Sequence, residues 1–260
     1  MRFIITLLSI VIVSSIPARS QEFTTAIEDN SYYIEEAYNQ EDRVVQHIVN
    51  GSALSPGDIY DASFTQEWPA FGRSHQLSYT IPFQHTTLLN PTRSGIGDML
   101  INYRYQLIDE PALAVSPRFS IILPTGDHSV GFGNGVVGAQ VNLPISKRIS
   151  NELITHTNIG GTVYPNVKFG TFIETFTEYF LGGSVIYLAD PKFNVMAELL
   201  YTNTEWAGGR TDELIFSPGF RWAIDISDLQ IVPGISFPFS FTSGATESGV
   251  FVYLSFEHPY

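Results

Sequence analysis

Apolar and polar residues alternate with a period of two over most of the chain after residue 43. In residues 99–108, for example, Met99 and Ile101 fall on one face, whereas Asn102 and Arg104 fall on the other. This alternation is typical of β-strands that have one apolar and one polar face. It predicts twelve strands, at residues 44–53, 59–68, 75–84, 99–108, 115–125, 136–149, 153–165, 178–189, 193–206, 214–226, 229–241 and 249–260.

The connectors between these strands alternate in length. Tight turns are predicted around Asp109, Ser150, Asp190 and Ser227, where turn-forming residues are concentrated. The intervening connectors are longer, at residues 51–58, 85–98, 126–135, 166–177, 207–213 and 242–248. Outer-membrane barrels have short turns on one side of the membrane and long loops on the other. An even number of strands also brings both ends of the barrel domain to one side, which we assign to the periplasm.

Period-two alternation by itself fits two architectures. In a soluble β-sandwich the apolar face packs on a second sheet, whereas in a membrane barrel it meets lipid and the polar face lines the lumen. The predicted strands are long enough to cross a bilayer, and aromatic residues such as Trp68, Tyr201 and Trp222 lie near their ends. These features favour an all-β fold, a single antiparallel transmembrane β-barrel of about twelve strands preceded by a short N-terminal segment.

The first twenty residues have the pattern of a secretory signal peptide. Arg2 supplies a positive charge, residues 3–13 are apolar, and Ala18 and Ser20 precede a suitable cleavage point. The chain has no cysteine, which excludes a cysteine-linked lipid anchor, disulfides and thiolate sites. The predicted organisation is a signal peptide at 1–20, an acidic periplasmic or plug segment at 21–43 and an outer-membrane barrel at 44–260.

Composition limits the partners of the protein. Charged residues make up 15% of the chain, against about 25% in soluble domains. Acidic residues outnumber basic ones by 26 to 13, and this balance argues against a nucleic-acid partner. The expected partners are outer-membrane lipid, small-molecule solutes and the outer-membrane assembly machinery, which would read the C-terminal strand ending at Tyr260. The expected location is the outer membrane of a Gram-negative-type bacterium.

The acidic segment at 21–43 has two interpretations. It is either a solvated periplasmic leader or a short helix that folds into the lumen mouth, since some of its apolar residues have the spacing of one helical turn. In the second interpretation its carboxylates would meet Arg104, Arg118 and Arg221.

Four short motifs resemble a known family of bacterial outer-membrane proteins. They are Ile34-Glu-Glu-Ala-Tyr-Asn-Gln-Glu41, Phe64-Thr-Gln-Glu-Trp-Pro69, Gly95-Ile-Gly-Asp98 and Leu123-Pro-Thr-Gly-Asp127. The family is labelled transporter-like, or the meta-pathway phenol-degradation family. The resemblance implies a barrel of twelve or a similar number of strands that passes small compounds, with aromatic ones as candidates, and it implies no catalytic residues. Asp98 and Asp127 are expected to bond nearby backbone amides.

The sequence lacks the usual motifs of catalysis and cofactor binding. It has no phosphate loop, dinucleotide fingerprint, zinc motif or nucleophile elbow, so we predict no catalytic residue, cofactor or metal site. His156 and Asn158 face the lumen by strand parity, but no serine is obviously paired with the histidine. A lipid hydrolase, which needs a serine activated by a histidine, is therefore only an alternative.

Charged and polar residues on the inward faces are candidates for lining the lumen. Their side chains either set the selectivity of an open pore or form a salt-bridge network that fills a narrow barrel. We predict a passive channel for small molecules, including hydrophobic or aromatic ones. The alternatives are a lipid-modifying hydrolase or a purely structural barrel, and a secreted soluble β-sandwich that binds a ligand. The lumen-lining candidates are Arg104, Arg118, Arg221, Glu198, His156 and Asn158.

Overall fold

The computed structural model is one antiparallel β-sheet that closes on itself as a barrel. It describes residues 31–55, 59–87 and 92–260, apart from the side chains of Ile59 and Phe169. The predicted signal peptide lies outside the described residues, as does the first part of the acidic segment.

Twelve strands follow one another around the barrel, each antiparallel to the next. The first strand pairs with the last, so the sheet has no free edge. The predicted single twelve-stranded barrel is therefore confirmed. No helix among the described residues is long and apolar enough to cross a membrane. In chain order the strands are β1 (Val44–Ser55), β2 (Ile59–Pro69), β3 (His75–Thr86), β4 (Arg93–Ile96, Met99–Tyr105 and Ile108–Glu110), β5 (Leu113–Val115 and Arg118–Leu123), β6 (Gly138–Arg148), β7 (Leu153–Phe169), β8 (Phe172–Asp190), β9 (Phe193–Trp206), β10 (Gly209–Trp222 and Ile224–Ile226), β11 (Leu229–Ser236 and Phe239–Thr242) and β12 (Thr246–Pro259).

The long connectors predicted at 166–177 and 207–213 are wrong, because most of these residues continue the strands. Strands β7 and β8 stay paired up to Phe169 opposite Phe172, and β9 and β10 stay paired up to Trp206 opposite Gly209. Gly170 has a φ of 61°, a left-handed conformation that suits a two-residue hairpin turn. The hairpins therefore extend further than the alternation of apolar residues indicates.

The barrel is polar inside and apolar outside, which is the reverse of a soluble protein. On β4, Asn102 and Arg104 are buried in the interior, whereas Ile101, Tyr103 and Tyr105 are exposed. An outward apolar surface around a polar interior is what a membrane-spanning barrel presents to lipid. The soluble β-sandwich is therefore excluded, since one closed sheet forms instead of two stacked sheets. Other polar residues buried inside include Gln46, Ser120, Ser184, Asn194 and Ser217.

Candidate functional site

Residues 31–40, which we call the lumen segment, lie inside the barrel. Ile34 and Ala37 are only 2% and 0% exposed. The segment contains bends and no helical turn, so the predicted short helix is wrong for these residues. The reason is that side chains of the barrel wall bind the backbone N–H and C=O groups that a helix would need for its own hydrogen bonds.

Glu198 on β9 binds the start of the lumen segment. Its carboxylate accepts hydrogen bonds from the backbone N–H groups of Tyr32, Tyr33 and Ile34, at donor–acceptor distances of 3.0, 3.2 and 3.2 Å. The side chain of Glu198 is 2% exposed. A carboxylate removed from water in this way needs hydrogen-bond donors to replace its hydration, and the three N–H groups provide them.

Two amide side chains bind the middle of the segment in a bidentate manner. Asn158 on β7 accepts from the N–H of Glu35 and donates to the carbonyl of the same residue, both at 2.8 Å. Gln106, which lies at an interruption of β4, accepts from the N–H of Asn39 at 2.9 Å and donates to the carbonyl of Ala37 at 2.7 Å. A primary amide that donates and accepts at once is complementary to a peptide backbone.

Two serines, Ser146 and Ser116, bind the backbone of Ala37. Ser146 also pairs with His156, a contact that the sequence did not reveal. The N–H of Ala37 donates to Oγ of Ser146 at 2.7 Å, and Oγ of Ser116 donates to the carbonyl of Ala37 at 2.6 Å. Ser146 also lies 2.7 Å from Nδ1 of His156, directly opposite it in the register of β6 and β7. Only the strand register could have revealed this pairing, because the two residues are on different strands.

Two buried arginines meet the carboxylates of the segment. Nη1 of Arg104 lies 3.2 Å from Oε1 of Glu36 and also donates to the carbonyl of Tyr38 at 2.8 Å. Nη2 of Arg118 lies 2.8 Å from Oε1 of Glu35. These ion pairs neutralise both cations in an interior where an unpaired charge would be costly.

Tyr32 anchors the start of the segment to β10 and β11, the strands that follow β9 around the barrel. Its hydroxyl lies 2.7 Å from the carbonyl oxygen of Phe220 and 2.8 Å from that of Ile235, and it donates its single proton between them. The rings of Phe251 and Tyr253 contact the Tyr32 ring edge-on, with centroids 5.5 and 6.3 Å away. Burial raises the pKa of Tyr32 well above its usual value, because the charged phenolate would lose its hydration.

A cavity of about 250 Å³ remains beside the segment. It is lined by both polar and apolar groups, and the aromatic rings of Tyr32 and Tyr33 border it together with the carboxylate of Glu67. The space is large enough for several water molecules or a small solute. Other lining residues from the wall are Asn50, Ser63, Thr65, Leu100 and Asn102.

All six predicted lumen-lining residues face the interior and are buried or nearly so. Arg104, Arg118, Glu198 and Asn158 bind the lumen segment directly. His156 lies behind Ser146 with its ring 6.4 Å from that of Tyr38. The sixth residue, Arg221, lies with its guanidinium carbon 5.5 Å from the centre of the Tyr253 ring. Strand alternation gave the inward direction of these side chains, but it did not indicate that Glu198 binds the segment.

The described residues include no group of three histidine, aspartate or glutamate side chains placed to hold a metal ion. A protein metal site usually needs at least three such ligands. Several polar side chains of the interior, including Glu198, Asn158, Gln106 and Gln76, bind the backbone of the lumen segment.

No protein-family model and no curated protein matches the chain. Solved structures do match. An outer-membrane channel from Pseudomonas putida F1 has a TM-score of 0.67 at 10% identity, covering 86% of this chain and 98% of that one. The fold is that of outer-membrane channels. The NanC porin has a TM-score of 0.58 at 13% identity over 81% of this chain and 98% of its own. The KdgM porin, solved in complex with oligogalacturonate, has a TM-score of 0.52 at 9% identity over 83% and 99%.

Similarity to solved structures at identities this low shows the barrel fold alone. The narrower resemblance to the phenol-degradation family rests on the short motifs alone and stays a prediction.

Proposed function

We propose that the protein is a passive outer-membrane channel for small solutes, closed by its lumen segment in the conformation described. The observation that carries this proposal is that the occupant of the lumen is held only by hydrogen bonds, ion pairs and packing. The segment joins the barrel at one end, through residues 41–43. Its withdrawal would open the interior without breaking any strand pairing.

We propose small uncharged solutes, including aromatic ones, as the substrates. The two arginines closest to the cavity, Arg104 and Arg118, are already paired with Glu36 and Glu35. When the segment withdraws, the wall would present the carboxyl groups of Glu67 and Glu198 as well as the two arginines, so neither sign of charge dominates, in contrast to pores that select ions with rings of one charge. The mixed lining of tyrosine rings and hydroxyl groups suits a molecule that has an apolar body and a few polar groups.

We propose transport without a chemical step. Ser146 and His156 form the closest approach to a hydrolytic pair, but their side chains are 0% and 1% exposed. The Ser146 hydroxyl also accepts the N–H of Ala37, so the segment covers it. A lipid hydrolase would have to bring its ester to this hydroxyl. Hydrolysis of phospholipid by the wild-type protein that disappears in His156→Ala would favour the enzyme instead.

The partners outside the lumen are proposed from the surface. The exposed apolar band would contact outer-membrane lipid, and β12, which ends next to Tyr260, would be the strand that assembly machinery reads. Tyr260 donates its N–H to the carbonyl of Arg43 at 2.9 Å, which places the chain end at the seam between the first and last strands.

Liposome swelling tests the channel. Liposomes that contain the wild-type protein or Glu198→Ala are placed in matched solutions of neutral and anionic solutes of similar size. We expect faster swelling for the variant, with neutral solutes entering faster than anions. Swelling no faster than that of protein-free liposomes, for both proteins and all solutes, would contradict the proposed function.

A further inference from the structure

We propose that the inner wall of the barrel is a binding site for an acidic peptide in a non-helical conformation, occupied here by the lumen segment, and that it accepts such a peptide from outside the chain. The inference goes beyond solute passage, since a peptide could bind whether or not the barrel conducts solutes. The proposed ligand is a peptide, and the side chains of the inner wall determine which peptide fits.

The wall recognises peptide backbone. Asn158 and Gln106 each contact both an N–H and a C=O group of the segment. Gln76 accepts a hydrogen bond from the N–H of Gln40 at 2.7 Å. Glu198 accepts hydrogen bonds from three further N–H groups of the segment. Such paired donors and acceptors along an extended chain are what peptide-binding proteins use for affinity. A small neutral solute offers no comparable series.

The wall also has recesses for particular side chains. A Cβ atom at Gly219 would lie 2.6 Å from Cε2 of Tyr32, and one at Gly182 would overlap Cδ1 of Ile34. Glycine at these two positions therefore makes room for a tyrosine and, two residues later, for an aliphatic side chain. Ala37, which is fully buried, leaves space only for a small residue.

The positive charge of two arginines in the wall favours an acidic occupant. Arg104 is 3% exposed and Arg118 is 10% exposed, and their carboxylate partners come from the segment. Removing the partners of buried cations is strongly unfavourable, so an occupant that brings two adjacent carboxylates is favoured. Together the recesses and the arginines define the pattern tyrosine, any residue, aliphatic, acidic, acidic, small. The segment has this pattern at positions 32–37.

The experiment uses the full-length chain with the double substitution Glu35→Lys and Glu36→Lys, which places like charges against the two arginines and expels the segment. No lysine occurs at 21–43 in the natural sequence. Cleavage by a lysine-specific protease within the segment therefore reports that it has left the lumen. A fluorescein-labelled peptide of the natural sequence 31–40 is then titrated into the detergent-solubilised protein, and its anisotropy is measured.

We expect saturable binding to the double variant and much weaker binding to the wild-type protein, whose own segment competes at high effective concentration. A peptide with lysine at both acidic positions should bind at least about tenfold more weakly, because it lacks the buried charge pairs. Adding Gly182→Leu to the double variant should abolish binding while the barrel still migrates as a folded band in unheated SDS gels.

Two results would overturn the proposal. One is a segment that resists the protease in the double variant, because the acidic residues would then not determine its binding. The other is an expelled segment with no binding of the natural peptide, which would mean that only the covalent connection holds it. Because anisotropy does not depend on conductance, failure of solute passage alone leaves this proposal standing, and failure of peptide binding leaves the channel proposal standing.

Discussion

At the scale of single residues, Glu198 decides how firmly the lumen segment is held. One carboxylate binds three consecutive backbone N–H groups, so its removal leaves all three buried without that acceptor. Such a change weakens binding of the segment by about 2 kcal/mol, since hydrogen bonds to a charged group are among the stronger ones. This corresponds to about a thirtyfold shift from bound toward free segment.

Glu198→Ala should therefore raise the fraction of time that single barrels conduct in planar bilayers. Glu198→Gln, which keeps one carbonyl acceptor, should give an intermediate effect. Glu205→Ala changes an exposed carboxylate on the same strand and should behave like the wild-type protein. Equal open fractions for all four proteins would mean that the segment does not close the pore.

Arg118 is the residue at which charge reversal should change ion selectivity. In the wild-type protein Arg118 pairs with Glu35 at 2.8 Å. In Arg118→Glu two carboxylates face each other at this place, and their repulsion weakens the binding of the segment. The open pore also loses a cation and gains an anion at its wall. We expect the reversal potential in a potassium chloride gradient to shift toward cation selectivity.

The matched control is Arg210→Glu, because Arg210 is exposed and pairs with Asp212 outside the lumen. It should leave the reversal potential unchanged. A reversal potential that is the same for Arg118→Glu and the wild-type protein would remove Arg118 from the selectivity of the pore.

At the scale of elements, the strands were predictable, and one interpretation of the acidic segment gave the ion pairs of Arg104 and Arg118 with its carboxylates. The other contacts inside the barrel were not predictable. Alternation along β4 gave the inward positions of Asn102 and Arg104, since side-chain direction follows from a period of two. Alternation carries no information on what fills the interior. The pairing of Ser146 with His156 depends on the register of two strands. The packing of Ile34 against the wall depends on the space that Gly182 leaves. Neither feature is local in sequence.

The loop between β5 and β6 shows how far local sequence suffices. Asp98 and Asp127 were expected to bond nearby backbone amides. Asp127 does so within its own turn, whereas the partners of Asp98 lie 28 and 36 residues further along the chain. The carboxylate of Asp98 accepts from the N–H groups of Gly126 and Asn134, at 3.0 and 2.8 Å, and Asp127 accepts from the N–H of Ser129 at 3.0 Å. Asp98 thereby holds the loop to the end of the barrel at two points, Gly126 and Asn134.

Asp98→Ala should release this loop while leaving the strands intact. Two loop N–H groups lose a largely buried carboxylate acceptor, which costs about 1–3 kcal/mol of local stability. Hydrogen exchange of the amides of Gly126 and Asn134 should become at least about tenfold faster. Asp228→Ala, in an exposed turn between β10 and β11, should have no such effect. Unchanged exchange in the Asp98 variant would show that other contacts hold the loop.

At the scale of the whole molecule, stability comes from closure of the sheet in an apolar environment. Every strand has two neighbours, so backbone groups in the wall are paired without exposed edges. We expect the purified protein to migrate faster in SDS gels before heating than after, since the closed barrel resists the detergent until it is boiled. A chain that is monomeric and folded in water without detergent would contradict a membrane barrel.

The order of elements has a consequence for assembly. The lumen segment leads straight into β1, and β1 is the strand that β12 must meet to complete the ring. Closure of the ring therefore takes place at the strand to which the lumen segment is joined. We expect each newly inserted barrel to be closed by its lumen segment. Synthesis of the protein would then not make the outer membrane permeable until the segment is withdrawn.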